Sequence, residues 1–210
     1  EVNGQLSREV FLQTMELSSE GSLSGDFSYS ADSYQGAFAR YVCEKESQNE
    51  FLTGLLEDIS EQMTIDSIEV SDLEAVEKSL RISSKVELED MATLSGDFIY
   101  LNIPLATTFG ENPFKQKKRE YPVEMVAPFQ ERHILNIKLP EGYTLEAPPE
   151  PVNNILPQGS GHFQFQVSQQ HDFLQVICLI EIGKTHFPPQ EYGALLKFFN
   201  LITEKLGEQL

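Results

Sequence analysis

The chain has 210 residues, 40% hydrophobic and 23% charged, with a net charge of −18. That length suits one large domain or two modest ones, and no apolar run approaches the roughly 20 residues of a membrane helix, so membrane insertion is not expected. Residues 1–105 carry 6 Lys and Arg against 21 Asp and Glu, and residues 106–210 carry 9 against 12; an acidic front half repels nucleic-acid phosphates and anionic membranes, which excludes nucleic acid as a partner.

The opening EVNGQLSREVFLQT lacks an initiator Met and a secretory leader. Glu1 is therefore expected to be an internal point of a longer polypeptide. Val10 to Leu17 reads as a strand, with Phe11, Met15 and Leu17 on one face and Val10 and Leu12 on the other. After the turn chemistry of Ser18-Ser19-Glu20-Gly21, the residues Leu23, Gly25, Phe27, Tyr29 and Ala31 alternate with polar neighbours, giving a hairpin with one wet face. The period then lengthens. Ala37, Phe38, Tyr41 and Val42, and later Phe51, Leu52, Leu55, Leu56 and Ile59, predict two short helices whose apolar stripes face the core.

Strands resume at Met63 to Val70, with a change of phase that suggests a bulge, and at Leu80 to Leu88. Phe98 to Ile103 is apolar on both faces and is expected inside a sheet, ended by Pro104. The loop 105–118 ends in Lys115, Lys117, Lys118 and Arg119, a basic run best read as a solvated loop balancing nearby carboxylates. From Arg132 to Leu139 a strand alternates His133, Leu135, Ile137 and Leu139 against Asn136 and Lys138, until Pro140-Glu141-Gly142 stops it. A stiff Pro-rich connection, Ala147 to Pro151, leads to a strand at Phe163, Phe165 and Val167. Phe173 to Ile182 is almost continuously apolar and therefore central. Pro188 and Pro189 suit the first turn of a closing helix whose stripe is Tyr192, Leu195, Leu196, Phe199, Ile202 and Leu206.

Few residue sets point to chemistry. Cys43 lies late in a helix beside Glu44 and Cys178 lies in a central strand. Both read as buried structural thiols rather than nucleophiles, and spacing leaves open whether they pair. The histidines His133, His162, His171 and His186 are dispersed, although His162 and His171 could face each other across a hairpin. No cofactor or metal site is expected: Glu87, Glu89 and Asp90 lack the loop pattern of a calcium site, and there is no phosphate loop.

A family resemblance rests on Asn112-Pro113-Phe114, Arg119-Glu120-Tyr121-Pro122-Val123, Leu139-Pro140-Glu141-Gly142-Tyr143 and Phe187-Pro188-Pro189-Gln190-Glu191-Tyr192. In this order they resemble the domain of unknown function that closes bacterial, Bacteroidetes-type, transglutaminase-like proteins. The front half, through Ser19 to Gly25 and Ala39-Arg40-Tyr41, is similar to the segment that follows the catalytic core there. The resemblance implies an exported parent, periplasmic or envelope-associated, with a papain-like Cys-His-Asp core absent from this chain. It implies a non-catalytic role: an accessory domain, not an enzyme, that packs against that core or presents substrate to it. The alternative is a glycan- or peptide-binding module, with exposed aromatics among Tyr29, Tyr34, Tyr100 and Tyr121. Arg119 and Tyr121 are the candidate contacts to a neighbouring domain, set against the favoured structural reading of an arginine that anchors a loop carbonyl or acid within the sandwich.

The expected fold is mainly β and sandwich-like, with nine or ten strands, two inserted helices and a C-terminal helix. The first-choice division is a β-rich lobe over 1–105 and a second lobe over 106–210, the competitor being one continuous sandwich over 1–210.

Overall fold

The alternating segments become long strands. In the computed structural model, which describes residues 5–57, 59, 62–107 and 109–210, β1 (Ser7–Leu17) and β2 (Leu23–Ala31) form the first hairpin. Helices α1 (Ser33–Lys45) and α2 (Gln48–Leu56) follow, then β3 (Met63–Ser71) and β4 (Leu80–Leu88). The expected bulge is present as a register shift between Asp66 and Glu69. A small ribbon of β5 (Ala92–Ser95) and β6 (Phe98–Leu101) leads into the connection that carries β7 (Val123–Glu124). The chain finishes with β8 (Phe129–Lys138), β9 (Val152–Ile155), β10 (Gly161–Gln170), β11 (Phe173–Ile182), β12 (His186–Phe187) and α3 (Tyr192–Leu206).

Eight strands make one sheet in the order β3-β4-β2-β1-β8-β11-β10-β9. The front half contributes the first four and the back half the last four. They meet at β1 and β8, which run parallel with Phe11 beside His133, while every other neighbouring pair is antiparallel. Directly paired residues share a face. One buried row therefore crosses six strands, from Phe165 through Cys178, His133, Phe11 and Tyr29 to Ile82. The helices cover this face. Phe51 of α2 packs on Tyr29 with ring centroids 5.3 Å apart, and Phe198 of α3 meets Phe163 edge-on at 6.4 Å.

The opposite face carries Ser24, Asp26, Ser28, Arg132, Asn136, Gln164 and Gln166, and its side chains bond one another: Gln130 to Glu181 at 2.6 Å, Gln175 to Asn136 at 2.8 Å, Lys138 to Glu16 at 2.9 Å. This corrects the sandwich expectation. A sandwich needs two extended sheets face to face, whereas the described residues form a mixed α/β fold, with one mixed eight-stranded sheet and two two-stranded ribbons. Helices cover one side of the large sheet and, on its other side, polar side chains surround an apolar row of Leu12, Ile134 and Ile177. The strand-rich composition and the three helices are as read.

Three further expectations change. On α1 the buried stripe is Gly36, Ala39, Arg40 and Cys43, not Ala37, Phe38, Tyr41 and Val42. Small residues face inward because α1 lies close to the sheet: a Cβ on Gly36 would sit 2.8 Å from the Ala31 carbonyl oxygen. Arg40 is buried with them, its guanidinium donating to the carbonyls of Leu73, Asp72, Ala75 and Lys78 at 2.8–3.1 Å and so shaping the β3–β4 connection. α2 buries Phe51, Leu52 and Leu56 as read, and Ser47 caps it by accepting from the Glu50 amide while bonding the Glu50 carboxylate. The second change concerns Phe98 to Ile103, which contributes only the short edge-ribbon strand β6, with Phe98 and Tyr100 about half exposed. Pro188 and Pro189 also sit in the turn just ahead of α3 rather than inside its first turn.

Candidate functional site

Nucleophilic chemistry would start from a thiol. Cys178 stands on β11 directly opposite His133 of β8, and His133 Nε2 lies 2.6 Å from Glu131 Oε1, so a thiol, an imidazole and a carboxyl are brought to adjacent strands. All three are in the core: Cys178 and His133 are fully enclosed and Glu131 nearly so. Burial drives the Cys178 thiol far above its usual range, and the negative charge of Glu131 adds to the effect. A thiolate needs the opposite, an electropositive and reachable setting. The same alternation that made Cys178 readable as a core residue explains this: His133 and Glu131 share its face because they are two apart on their strand. Cys43 is buried in α1, its thiol also raised by desolvation, and both cysteines are free, which answers the question of pairing.

The enclosed polar set continues across β1. Glu9 is the register partner of Glu131, and Glu9 Oε1 accepts from the Tyr29 hydroxyl at 2.8 Å. Desolvation raises the Glu9 carboxyl to about 7, the Tyr29 bond opposes the rise, and Glu131 reinforces it. Tyr29 is itself raised, first by burial and then by the Glu9 charge. His133 stacks on Phe11 with centroids 4.4 Å apart and planes 9° from parallel. Gln13 donates to the Pro104 carbonyl at 3.0 Å, and Gln13 Oε1 and His133 Nδ1 have no partner among the described residues. Only the spacing His133, Leu135, Ile137 hinted at this cluster. Glu131 precedes the strand as read from the sequence, and Glu9 and Gln13 look like ordinary polar strand residues.

The other histidines do not converge. His162 bonds Asn153 at 2.8 Å and pairs in register with Glu181, at the far end of the hairpin whose turn holds His171. His186 bonds Glu124 at 2.7 Å. Among the described residues, no three His, Cys, Asp or Glu side chains gather as metal ligands.

Arg119 lies over two rings, 5.9 Å from the Phe114 centroid and 5.5 Å from that of Tyr192, whose hydroxyl donates to the Gln116 carbonyl at 2.7 Å. It thus clips its own loop to the start of α3. Tyr121, two residues on, is 80% exposed. Lys115 pairs with Glu111 at 2.7 Å, as a charge-balancing loop would. Of the four tyrosines considered for ligand binding, Tyr29 is in the core and Tyr34, Tyr100 and Tyr121 are exposed, on α1, β6 and the β7 connection respectively.

A set of exposed aromatic side chains lies on α1. Tyr34, Phe38 and Tyr41 recur at helical spacing on its outer face and are 52%, 55% and 60% exposed. The helix therefore points its small residues inward and its rings outward. A second surface is a groove of about 530 Å³ between the β5–β6 ribbon and the segment 142–147.

Residues 97–210, more than half of the chain, match a family described as a domain of unknown function with solved structure, DUF3858. Among solved structures, the crystal structure of a "putative protease" from Parabacteroides distasonis is similar at 18% identity and a TM-score of 0.41, over 49% of this chain. The matched part spans 19% of that chain, so most of the Parabacteroides protein has no counterpart here. No curated protein matches.

Proposed function

This chain belongs to the DUF3858 family of domains of unknown function, and from that premise we propose that it is a non-catalytic accessory domain of an exported transglutaminase-like protein, docking against a papain-like core in the same polypeptide. The observation that carries the reading is the outward aromatic face of α1. Three large rings at i, i+4 and i+7 give a helix a continuous apolar stripe, and such a stripe left to water marks an interaction surface. Its position suits a neighbour joined ahead of the first strand. Ser7, where β1 starts, accepts from the Gln35 amide at 2.8 Å, and the Arg8 amide donates to Asp32 at 2.9 Å, so the chain enters the fold beside the first turn of α1. Tyr121 would add a second contact, oriented by the loop that Arg119 clips down.

Titration calorimetry of the chain against a separately expressed transglutaminase-like core tests this. Association weakened at least about tenfold by Phe38→Ser with Tyr41→Ser is expected, since exposed aromatic anchors each contribute about 1–2 kcal/mol to an interface. No association, or association indifferent to both substitutions and to Tyr121→Ala, would refute it.

A further inference from the structure

The groove beside the β5–β6 ribbon is independent of the α1 face, and we propose that it binds a basic protein segment: an extended stretch presenting a lysine or arginine next to an apolar side chain. Its floor is aliphatic, from Leu17, Leu139 and Leu174 on the ends of the central strands. Its wall is aromatic: Phe98 and Tyr100 are same-face neighbours on β6 with centroids 6.3 Å apart, both about half exposed, and Tyr143 stands opposite on the 142–147 segment.

Charge decides the class of occupant. Asp97 and Glu146 line the groove, and no Lys, Arg or His does so among the described residues. Carboxylates and aromatic rings lining one groove form a setting for an ammonium or guanidinium group, which gains from both negative charge and ring quadrupoles. The aliphatic floor then suits the neighbouring apolar side chain. A glycan is the rival occupant that the test separates, and an anionic ligand is repelled by the groove and by the net charge of −18.

The test uses three probes on the whole chain: a fluorescein-labelled, amidated lysine–leucine–phenylalanine–lysine peptide, its glutamate-for-lysine counterpart, and chitohexaose. Saturable binding of the basic peptide that weakens at least about fivefold in Asp97→Asn/Glu146→Gln, weakens likewise in Tyr100→Ala, and falls with added salt supports the proposal. Because Tyr100 is exposed and Asp97 lies in a hairpin turn, these variants are expected to keep the wild-type melting curve, and backbone chemical-shift changes around Leu139 and Leu174 on adding peptide locate the site without any substitution. Equal binding of the acidic peptide, binding of the sugar alone, shifts confined to α1, or no binding at all overturns it.

Discussion

Glu9→Gln gives a sharp test of how the sheet centre is built. Glu9 is mostly buried, shares a register position with Glu131 across the parallel pair, and has a carboxyl raised to about 7, chiefly by loss of water. In the unfolded chain its value is the ordinary one for a glutamate, 4.5. Between those limits the folded state holds a proton that the unfolded state has released, so unfolding loses a proton and stability falls as pH rises. The contribution is complete below about pH 4.5 and is lost as pH passes through about 7. At about 1.4 kcal/mol per unit, a gap of this size amounts to about 3 kcal/mol. Glutamine keeps the acceptor for the Tyr29 hydroxyl and never ionises. Urea denaturation of wild type and variant at half-unit steps from pH 4.5 to 8.5 should therefore show two curves that nearly coincide at the acid end, diverge between about pH 4.5 and 7 and run parallel above that, with the variant more stable by up to about 3 kcal/mol. Taking the difference cancels every other titrating group that the substitution leaves alone. A variant equal to or less stable than wild type at pH 8 would refute the reasoning, since it would mean that Glu9 is solvated or that its charge is matched by a cation.

Gly25→Ala should destabilise by about 3–4 kcal/mol in the same assay, because the new Cβ would lie 2.1 Å from the Thr14 carbonyl oxygen on β1 and neither strand can move aside in mid-sheet. Arg40→Met should cost about 1–3 kcal/mol by leaving the partly buried carbonyls of the 72–78 connection without their guanidinium donor, and hydrogen exchange should show lost protection there first. Both thiols should resist a water-soluble disulfide reagent in the native chain and react at the rate of unfolding in denaturant; fast native labelling of Cys178 would contradict its enclosure.

Most of the sheet strands were legible because one face is dry, and a period of two survives wherever only one face is buried, whereas the short edge strand β9, with no fully buried residue, was not read. β1, β2, β4, β8 and β10 all showed it. The α1 face was misread for a physical reason. Periodicity locates an apolar stripe but does not say that the stripe points inward, and here Gly36 and Ala39 let the helix settle where larger residues would clash. Arg40 added to the confusion, since a buried guanidinium satisfied wholly by carbonyls looks in sequence like a solvent residue. The single sheet was hidden for another reason: nothing local distinguishes a strand whose wet face meets water from one whose second face meets another sheet. Of the site residues, Cys178 was legible as core. Its proximity to His133 and Glu131 was not, because it depends on strand pairing over long sequence distances.

That pairing carries the last step. The buried polar groups Glu9, Gln13, Glu131 and His133 all lie on β1 and β8, the strands at which the two halves of the chain meet. A seam lined only with aliphatic side chains could slide by two residues and still bury its inner face. Here a slip would lift His133 off the Phe11 ring and give Glu9 and Gln13 new neighbours on β8, while the contact of His133 with Glu131 lies within β8 and the bond from Tyr29 to Glu9 joins β2 to β1, so both would survive it. The ring stack therefore favours the observed register, and the apposition of Glu9 with Glu131 opposes ionisation of Glu9 rather than holding the strands together. Of the enclosed thiol, imidazole and carboxyl, the imidazole and carboxyl stand at this seam on β8 and the thiol one strand away on β11; the surfaces proposed for binding, the aromatic face of α1 and the groove beside β6, lie outside that enclosed set.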